Sequence, residues 1–321
     1  MKTAAPAVLA LLLSGCINVD VDLGTPGPNY VEKVIETTDT PDKIAIIDVE
    51  GILTSEETES ILATKESQLV AFVEKLKRAE ADEDVKAVVV RIDSPGGDVT
   101  TSDILYHELV RFKQRKKIPV VAAFMGVSAS GAYYLASGCD TIVAHPTSIT
   151  GSIGVISMHF SLTGLLDKIG VKVEALKSGP KKDIGSPFRT LDEADRKLLQ
   201  GLIDQFYARF VDVVAEGRKG RLTPAEVKVL ADGRVNTAQQ ALEVKLVDRI
   251  GYLEDAVAEA LVRAHVKKAN VVMYSRRPSR IKNEYSASAP LQPLPGSELD
   301  QARKLLGFHC YYLWEPYLLG K

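Results

Sequence analysis

Apolar positions along the chain change period several times, and each change marks an element. The run IAIIDVEG at 44–51 is continuous and rich in β-branched residues, which predicts a short buried strand. Leu69, Phe72, Val73 and Leu76 then recur at helical spacing. VKAVVVRID at 85–93 returns to a strand pattern, followed by a Gly-rich turn and a helix over about Ser102 to Lys113. The strand PVVAAFM at 119–125, a second turn of small residues and the strand TIVA at 141–144 complete the series. Unbroken apolar runs suit strands covered on both faces, and their alternation with helices predicts an α/β fold around a parallel, helix-covered sheet.

Beyond that region, LDEADRKLLQGLIDQFYARFVDVVAEG at 191–217 forms a long amphipathic helix with Leu198, Leu202, Phe206 and Phe210 on one face. Such a stripe is buried in a core or against another subunit. Helices are expected over 223–231 and 237–265, with a strand at NVVMY, so the C-terminal region is mainly helical. After Ser275 come RRPSR, a Pro/Ser-rich stretch and the aromatic end FHCYYLWEPYLL, read as peripheral packing with aromatics available for an interface. At the other end, residues 17–42 mix acids, threonines, prolines and glycines without periodicity, as a solvated tether does. The expected division is 1–16, a leader; 17–42, a flexible tether; 43–274, the folded domain; and 275–321, a tail.

The leader, MKTAAPAVLALLLSGC, pairs one cation with a short apolar core, the pattern of an export signal. It is too short for a transmembrane helix, which takes about 20 apolar residues. Leu13-Ser14-Gly15-Cys16 resembles a lipobox, implying cleavage before Cys16 and its lipidation, hence a cell-envelope anchor. Ile17 stands where an Asp would resemble an inner-membrane retention signal, which favours the outer membrane. Of 321 residues 45% are apolar, and 40 basic against 42 acidic side chains leave a net charge of −2 with no basic block, arguing against nucleic acid as a partner. Five scattered histidines and no CxxC pair predict neither metal nor cofactor. An oxidising compartment would permit a bond between Cys139 and Cys310.

Candidate chemistry gathers in two turns after successive strands: RIDSPGGD, with Gly96 and Gly97, and GVSASGAYY, with Ser130 and Gly131. In a parallel sheet both emerge at the same strand ends. Glycines let backbone N–H groups approach a ligand, and such amides stabilise a developing oxyanion, although Gly-Gly after a strand also serves as a plain tight turn. Ser128 lacks the last glycine of G-x-S-x-G and reads as structural. Ser178-Gly179-Pro180-Lys181 fits S-x-x-K, but Gly-Pro opposes the helix that motif uses. His145 and His159 follow Ser130 and would suit a Ser-His-Asp arrangement, yet no acid is placed to orient either. Lys181-Lys182 alone reads as a solvated charged pair.

SPGG, SASGAYYLA, TGSIGV, KSGPKKDIGSPFR and DGRVNTAQQALEVKLVD together resemble the signal peptide peptidase A family, from about Lys43 to Val257. That resemblance implies a ClpP/crotonase-like fold and a membrane-associated serine endopeptidase with a Ser-Lys dyad. Its nucleophile position falls on Ser130, its general base on Lys182, its lysine-orienting serine on Ser152 and its oxyanion amides on Gly97 and Gly131. A lysine at its usual pKa of about 10.4 is protonated at neutral pH, so this role requires an amine shielded from water. Ala132 departs from the family's second glycine, a small change that leaves the dyad and both amides in place. The resemblance further implies a ring-shaped homo-oligomer with dyads shared between subunits, and substrates such as remnant signal peptides and other apolar, membrane-released peptides. Two other classes share the fold: a crotonase-type acyl-CoA enzyme, disfavoured by export, and a non-catalytic membrane scaffold.

Overall fold

A computed structural model describes residues 29–56, 58–60, 63–65, 67–276, 281–286 and 310–313. Cys16 and its lipobox lie outside the described residues. In chain order the elements begin with β1 (Val31–Glu36), β2 (Lys43–Glu50), β3 (Thr58–Ser60), β4 (Ala63–Lys65), α1 (Gln68–Ala81), β5 (Val85–Ser94) and β6 (Gly96–Asp98). Next come α2 (Val99–Lys116), β7 (Val120–Ala129), α3 (Gly131–Ala136), β8 (Thr141–Ala144), β9 (Ile149–Gly151) and α4 (Thr163–Lys168). They continue with α5 (Glu193–Gly217), α6 (Pro224–Leu230), β10 (Val235–Thr237), α7 (Ala238–Glu243), β11 (Arg249–Ile250), α8 (Leu253–Arg263), β12 (Asn270–Ser275) and β13 (Tyr311–Leu313).

The apolar runs are continuous because their strands sit mid-sheet. The main sheet runs β1-β12-β2-β5-β7-β8-β11, with β9 and β10 appended beside β7. Every pairing is parallel except β1 with β12 and β10 with β9. Alternate residues go to opposite faces. Ala45, Ile47, Val88, Val90, Ala122 and Phe124 pack under α1, α2 and α3. Ile44, Ile46, Ala87, Val89, Val121 and Ala123 pack under α8 through Leu253, Ala256 and Ala260. The expected mixed α/β class with a mostly parallel, helix-covered sheet is what the chain forms.

Three readings change. Residues 31–36, assigned to the tether, form β1 against β12, with Val31 opposite Ser275 and Glu36 opposite Val271. Their sequence is too polar to signal a strand; the pairing comes from the otherwise open edge of β12. The helical span 237–265 is divided: Lys245 at φ 61° turns the chain after α7, and β11 pairs with β8 before α8 begins. Cys139 and Cys310 are separate free thiols, not a disulfide, and burial pushes the Cys139 thiol up to about 12.

An ion pair fixes this C-terminal region to the sheet. Arg218, at the end of α5 and 2% exposed, donates from both terminal nitrogens to Asp248 at 3.0 and 2.7 Å, and from Nε to the Lys245 carbonyl at 3.0 Å. Asp248 in turn accepts the Ile142 N–H of β8 at 2.8 Å. Burial raises the Asp248 carboxyl, but Arg218 outweighs it and the net shift is downward. Removing Arg218 empties a buried site and frees the Lys245 carbonyl, while Asp248 keeps the more exposed Arg221 at 2.6 Å. Arg218→Ala is therefore expected to cost about 2–4 kcal/mol in denaturant unfolding, and a loss below about 1 kcal/mol would contradict the pinning role.

Candidate active site

Adjacent parallel strands β5 and β7 end together, with Ser94 level with Ser128, and their continuations build the site. β7 passes into α3 through Ser130, held at φ 55° and ψ −119°, a conformation that serine adopts only when its surroundings impose it. The Ser130 N–H donates to the Gly151 carbonyl at 2.8 Å, and its carbonyl accepts from Tyr134 N at 2.9 Å. Ser130 is 1% exposed and its Oγ has no hydrogen-bond partner among the described residues. Buried hydroxyls are seldom left so, and this one is a nucleophile candidate on geometry alone. Ser128 instead donates its Oγ to the Ile92 carbonyl at 2.7 Å, a structural bond.

The glycines around it permit contact that no side chain would. At Gly96, φ +97°, a Cβ would collide with the Tyr312 carbonyl and stand 2.6 Å from Gly131 N. At Gly97 it would collide with the Leu53 carbonyl oxygen, and at Gly131 it would strike the Ser102 hydroxyl. The Leu53 N–H donates to Gly96 O at 2.8 Å, and the Asp98 N–H donates to Leu53 O at 2.9 Å. Polar groups of successive strand residues face opposite sides, so the Gly97 N–H points away from Leu53. On that other side lies β13, with Tyr312 opposite Gly97 and Leu313 opposite Gly96. This strand belongs to the tail expected to be peripheral.

Ser152 follows the Gly151 carbonyl that holds Ser130; it is 7% exposed, at φ 50°, and its N–H donates to Arg234 O at 2.7 Å. Ser130, Gly131, Gly97 and Ser152 therefore converge. Lys182 does not join them. Its side chain is exposed and makes no hydrogen bond or ion pair among the described residues, and the unpartnered Ser130 hydroxyl confirms that it does not arrive there within one chain.

The neighbouring cations are committed elsewhere. Lys181 donates to Asp195 at 2.6 Å, which raises its pKa and keeps it charged. Arg189 binds Asp183 at 3.0 Å and Asp195 at 2.5 Å, while Lys177 binds Asp183 at 2.6 Å. Arg189 and then Lys181 hold the Asp195 carboxyl down at about 2. Lys182 is the cation this network leaves over. His145 shares Nδ1 with the Thr147 hydroxyl at 2.9 Å and meets the Tyr252 ring edge-on, and neither it nor His159 bonds Ser130.

The model of peptidase family S49 matches residues 112–267. A candidate protease of Synechocystis sp. is 46% identical over 219 residues, spanning 68% of this chain and 73% of the relative. The chain belongs to peptidase family S49. A candidate signal peptide peptidase of Enterococcus faecium is 36% identical over 249 residues, covering 77% of this chain and 72% of that protein. The chloroplastic serine protease SPPA of Arabidopsis thaliana is 34% identical over 241 residues, covering 73% of this chain and 35% of its own length. This S49 chain is accordingly a serine peptidase.

Motif spacing did not single out Leu53, Ser102, Asp195, Arg234 or Tyr312, whose importance arises from contacts between distant segments. Asp195 is the positioning residue most open to test, because it fastens residues 181–189 of this S49 peptidase to α5. Asp195→Ala is expected to leave global stability nearly unchanged, since Lys181 and Arg189 can both turn to solvent. It should speed tryptic cleavage at Lys181, Lys182 or Arg189 and, by misplacing the segment, lower peptide turnover by roughly 100-fold. Unaltered tryptic resistance and turnover would refute the role.

Proposed function

We propose that this peptidase is a membrane-anchored endopeptidase that opens peptide bonds through an acyl-enzyme on Ser130, with Lys182 as general base. The observation that carries the reading is the buried, unpartnered Ser130 hydroxyl on a strained turn beside the Gly97 and Gly131 amides. Ser130 Oγ attacks the substrate carbonyl carbon while its proton passes to Lys182 Nζ. The carbonyl oxygen becomes an oxyanion held by the two amides. On collapse the peptide C–N bond breaks, and the departing amine takes that proton from Lys182. Water, deprotonated by Lys182 Nζ, then attacks the acyl carbon, the ester C–O bond to Ser130 breaks, and Lys182 returns the proton to Ser130 Oγ. Ser152 orients the lysine.

Lys182 is exposed in the single chain, so the dyad is completed between copies. Support comes from the segment that carries it: Leu165, Ile169, Val173 and Leu176 are exposed, Leu176 to 96%, and apolar surface of this kind calls for a partner that would also exclude water from the amine. On α5, Leu198 and Leu202 are likewise exposed while Phe210 is in the core, so the exposed part of its apolar stripe lies in the first half of the helix. A closed homo-oligomeric ring with one dyad per interface satisfies these features. Lipidation at Cys16 would hold the ring at an envelope membrane, within reach of apolar peptides such as remnant signal peptides.

With a quenched apolar peptide as substrate, Ser130→Ala and Lys182→Ala are each expected to lower turnover by roughly 1,000-fold or more without dissociating the assembly. Persistent turnover in either variant rejects the dyad. A serine-directed phosphonate should add to Ser130 in the intact protein, and failure to label an assembled, folded sample would favour the scaffold reading.

A further inference from the structure

β7 does not run straight from the core to Ser130. Its pairing with β5 is regular as far as Ile92 opposite Phe124, and it resumes with Ser94 opposite Ser128. Between those points β5 advances by Asp93 alone, while β7 advances by Met125, Gly126 and Val127, which is a β-bulge. Had the register held, Gly126 would stand level with Ser94. The bulge is also where β7 changes neighbours. It leaves β8 after the pair Phe124 and Ala144 and joins β9 from Val127 with Ile149 to Ala129 with Gly151. That change brings the Gly151 carbonyl to the Ser130 N–H.

A bulge interrupts the ladder, so its backbone groups need other partners. Asp93, the residue that β5 spends there, supplies one: its Oδ1 accepts the Val127 N–H at 2.9 Å and lies 3.3 Å from the point a Gly126 Cβ would occupy. On the β8 side the Ser148 hydroxyl donates to the Met125 carbonyl. Past the bulge the strand is fastened again, by Ser128 Oγ on the Ile92 carbonyl at 2.7 Å and by Thr150 Oγ1 on the Ser128 carbonyl at 2.6 Å. Met125 and Val127 are half-buried and Gly126 is exposed, so these hydrogen bonds, more than packing, set the shape of the stretch. Asp93 thus lies on the strand that leads to the Gly97 amide and holds the strand that leads to the Ser130 hydroxyl.

We propose that Asp93 is a positioning residue of the peptidase: by holding the bulge it aims Ser130 Oγ at the point served by the Gly97 and Gly131 amides, without itself touching substrate. The proposal rests on Ser130 as nucleophile, and its test separates the two. Full-length wild type, Asp93→Ala and Asp93→Asn are compared by amide hydrogen exchange over residues 125–128, by kcat and KM on a quenched apolar peptide, and by the rate at which a serine-directed phosphonate labels Ser130. Asparagine keeps a side-chain oxygen for the Val127 N–H and loses only the charge, whereas alanine loses the acceptor. Asp93 is exposed, so neither change empties a core site and both variants should fold.

Asp93→Ala should exchange the Val127 amide about tenfold faster than wild type. It should lower kcat and the labelling rate by roughly 10- to 100-fold with KM nearly unchanged, the effect of a misplaced nucleophile. Asp93→Asn should return all three close to wild type. A raised KM with unchanged kcat would set Asp93 against the substrate and overturn the positioning role. Equal losses in both variants would assign the effect to charge and overturn it as well, as would wild-type kinetics in Asp93→Ala. If wild type shows neither turnover nor labelling at Ser130, the peptidase reading falls and this role falls with it.

Discussion

Close backbone approach at the ends of β5 and β7 is the constraint from which the site follows. Gly96, Gly97 and Gly131 are packed so tightly against Leu53, Ser102 and Tyr312 that a methyl group at any of them meets another atom inside contact distance. Within that crowding Ser130 is held at φ 55° and ψ −119°, and its hydroxyl has no hydrogen-bond partner among the described residues. A strained turn survives only when its surroundings over-determine it. Here the Gly151 carbonyl on one side and the wholly buried α3 on the other fix the residue before and after the hydroxyl.

The two halves of the proposed dyad are held by different means. Hydrophobic packing under α1, α2 and α3 fixes the serine half, and its geometry is complete within one chain. Charge fixes the lysine half: Asp183 and Asp195 gather Lys177, Lys181 and Arg189, leaving Lys182 outward. Ion pairs order a segment with little apolar burial of its own, so the base can be firmly presented without being part of the core. Division of this kind makes activity depend on what meets that segment.

Much of this was legible in the chain itself. Runs such as VKAVVVRID and PVVAAFM read as buried strands, and SPGG and SASG marked turns at neighbouring strand ends, which the family resemblance, not the glycines alone, set apart from plain tight turns. The parallel sheet and the convergence of Ser130, Gly131 and Gly97 followed from those patterns. What could not be read were relations between segments far apart in sequence. Residues 31–36 carry no strand signal of their own and take their conformation from β12. Tyr312 lies more than 200 residues from Gly97, and no periodicity links an aromatic tail to a glycine turn. The network around Asp195 looked like solvated charge because a buried carboxylate between two cations has the same composition as an exposed one.

The lateral margins of the main sheet have a consequence for self-association. One margin is β1, whose exposed side chains include Lys33 and Glu36, and the other is β11, only two residues long. Charged or very short border strands discourage foreign strands from annealing to a sheet. Extension of the sheet from one molecule to the next is therefore disfavoured, which guards the chain against polymerising into fibres wherever it is concentrated.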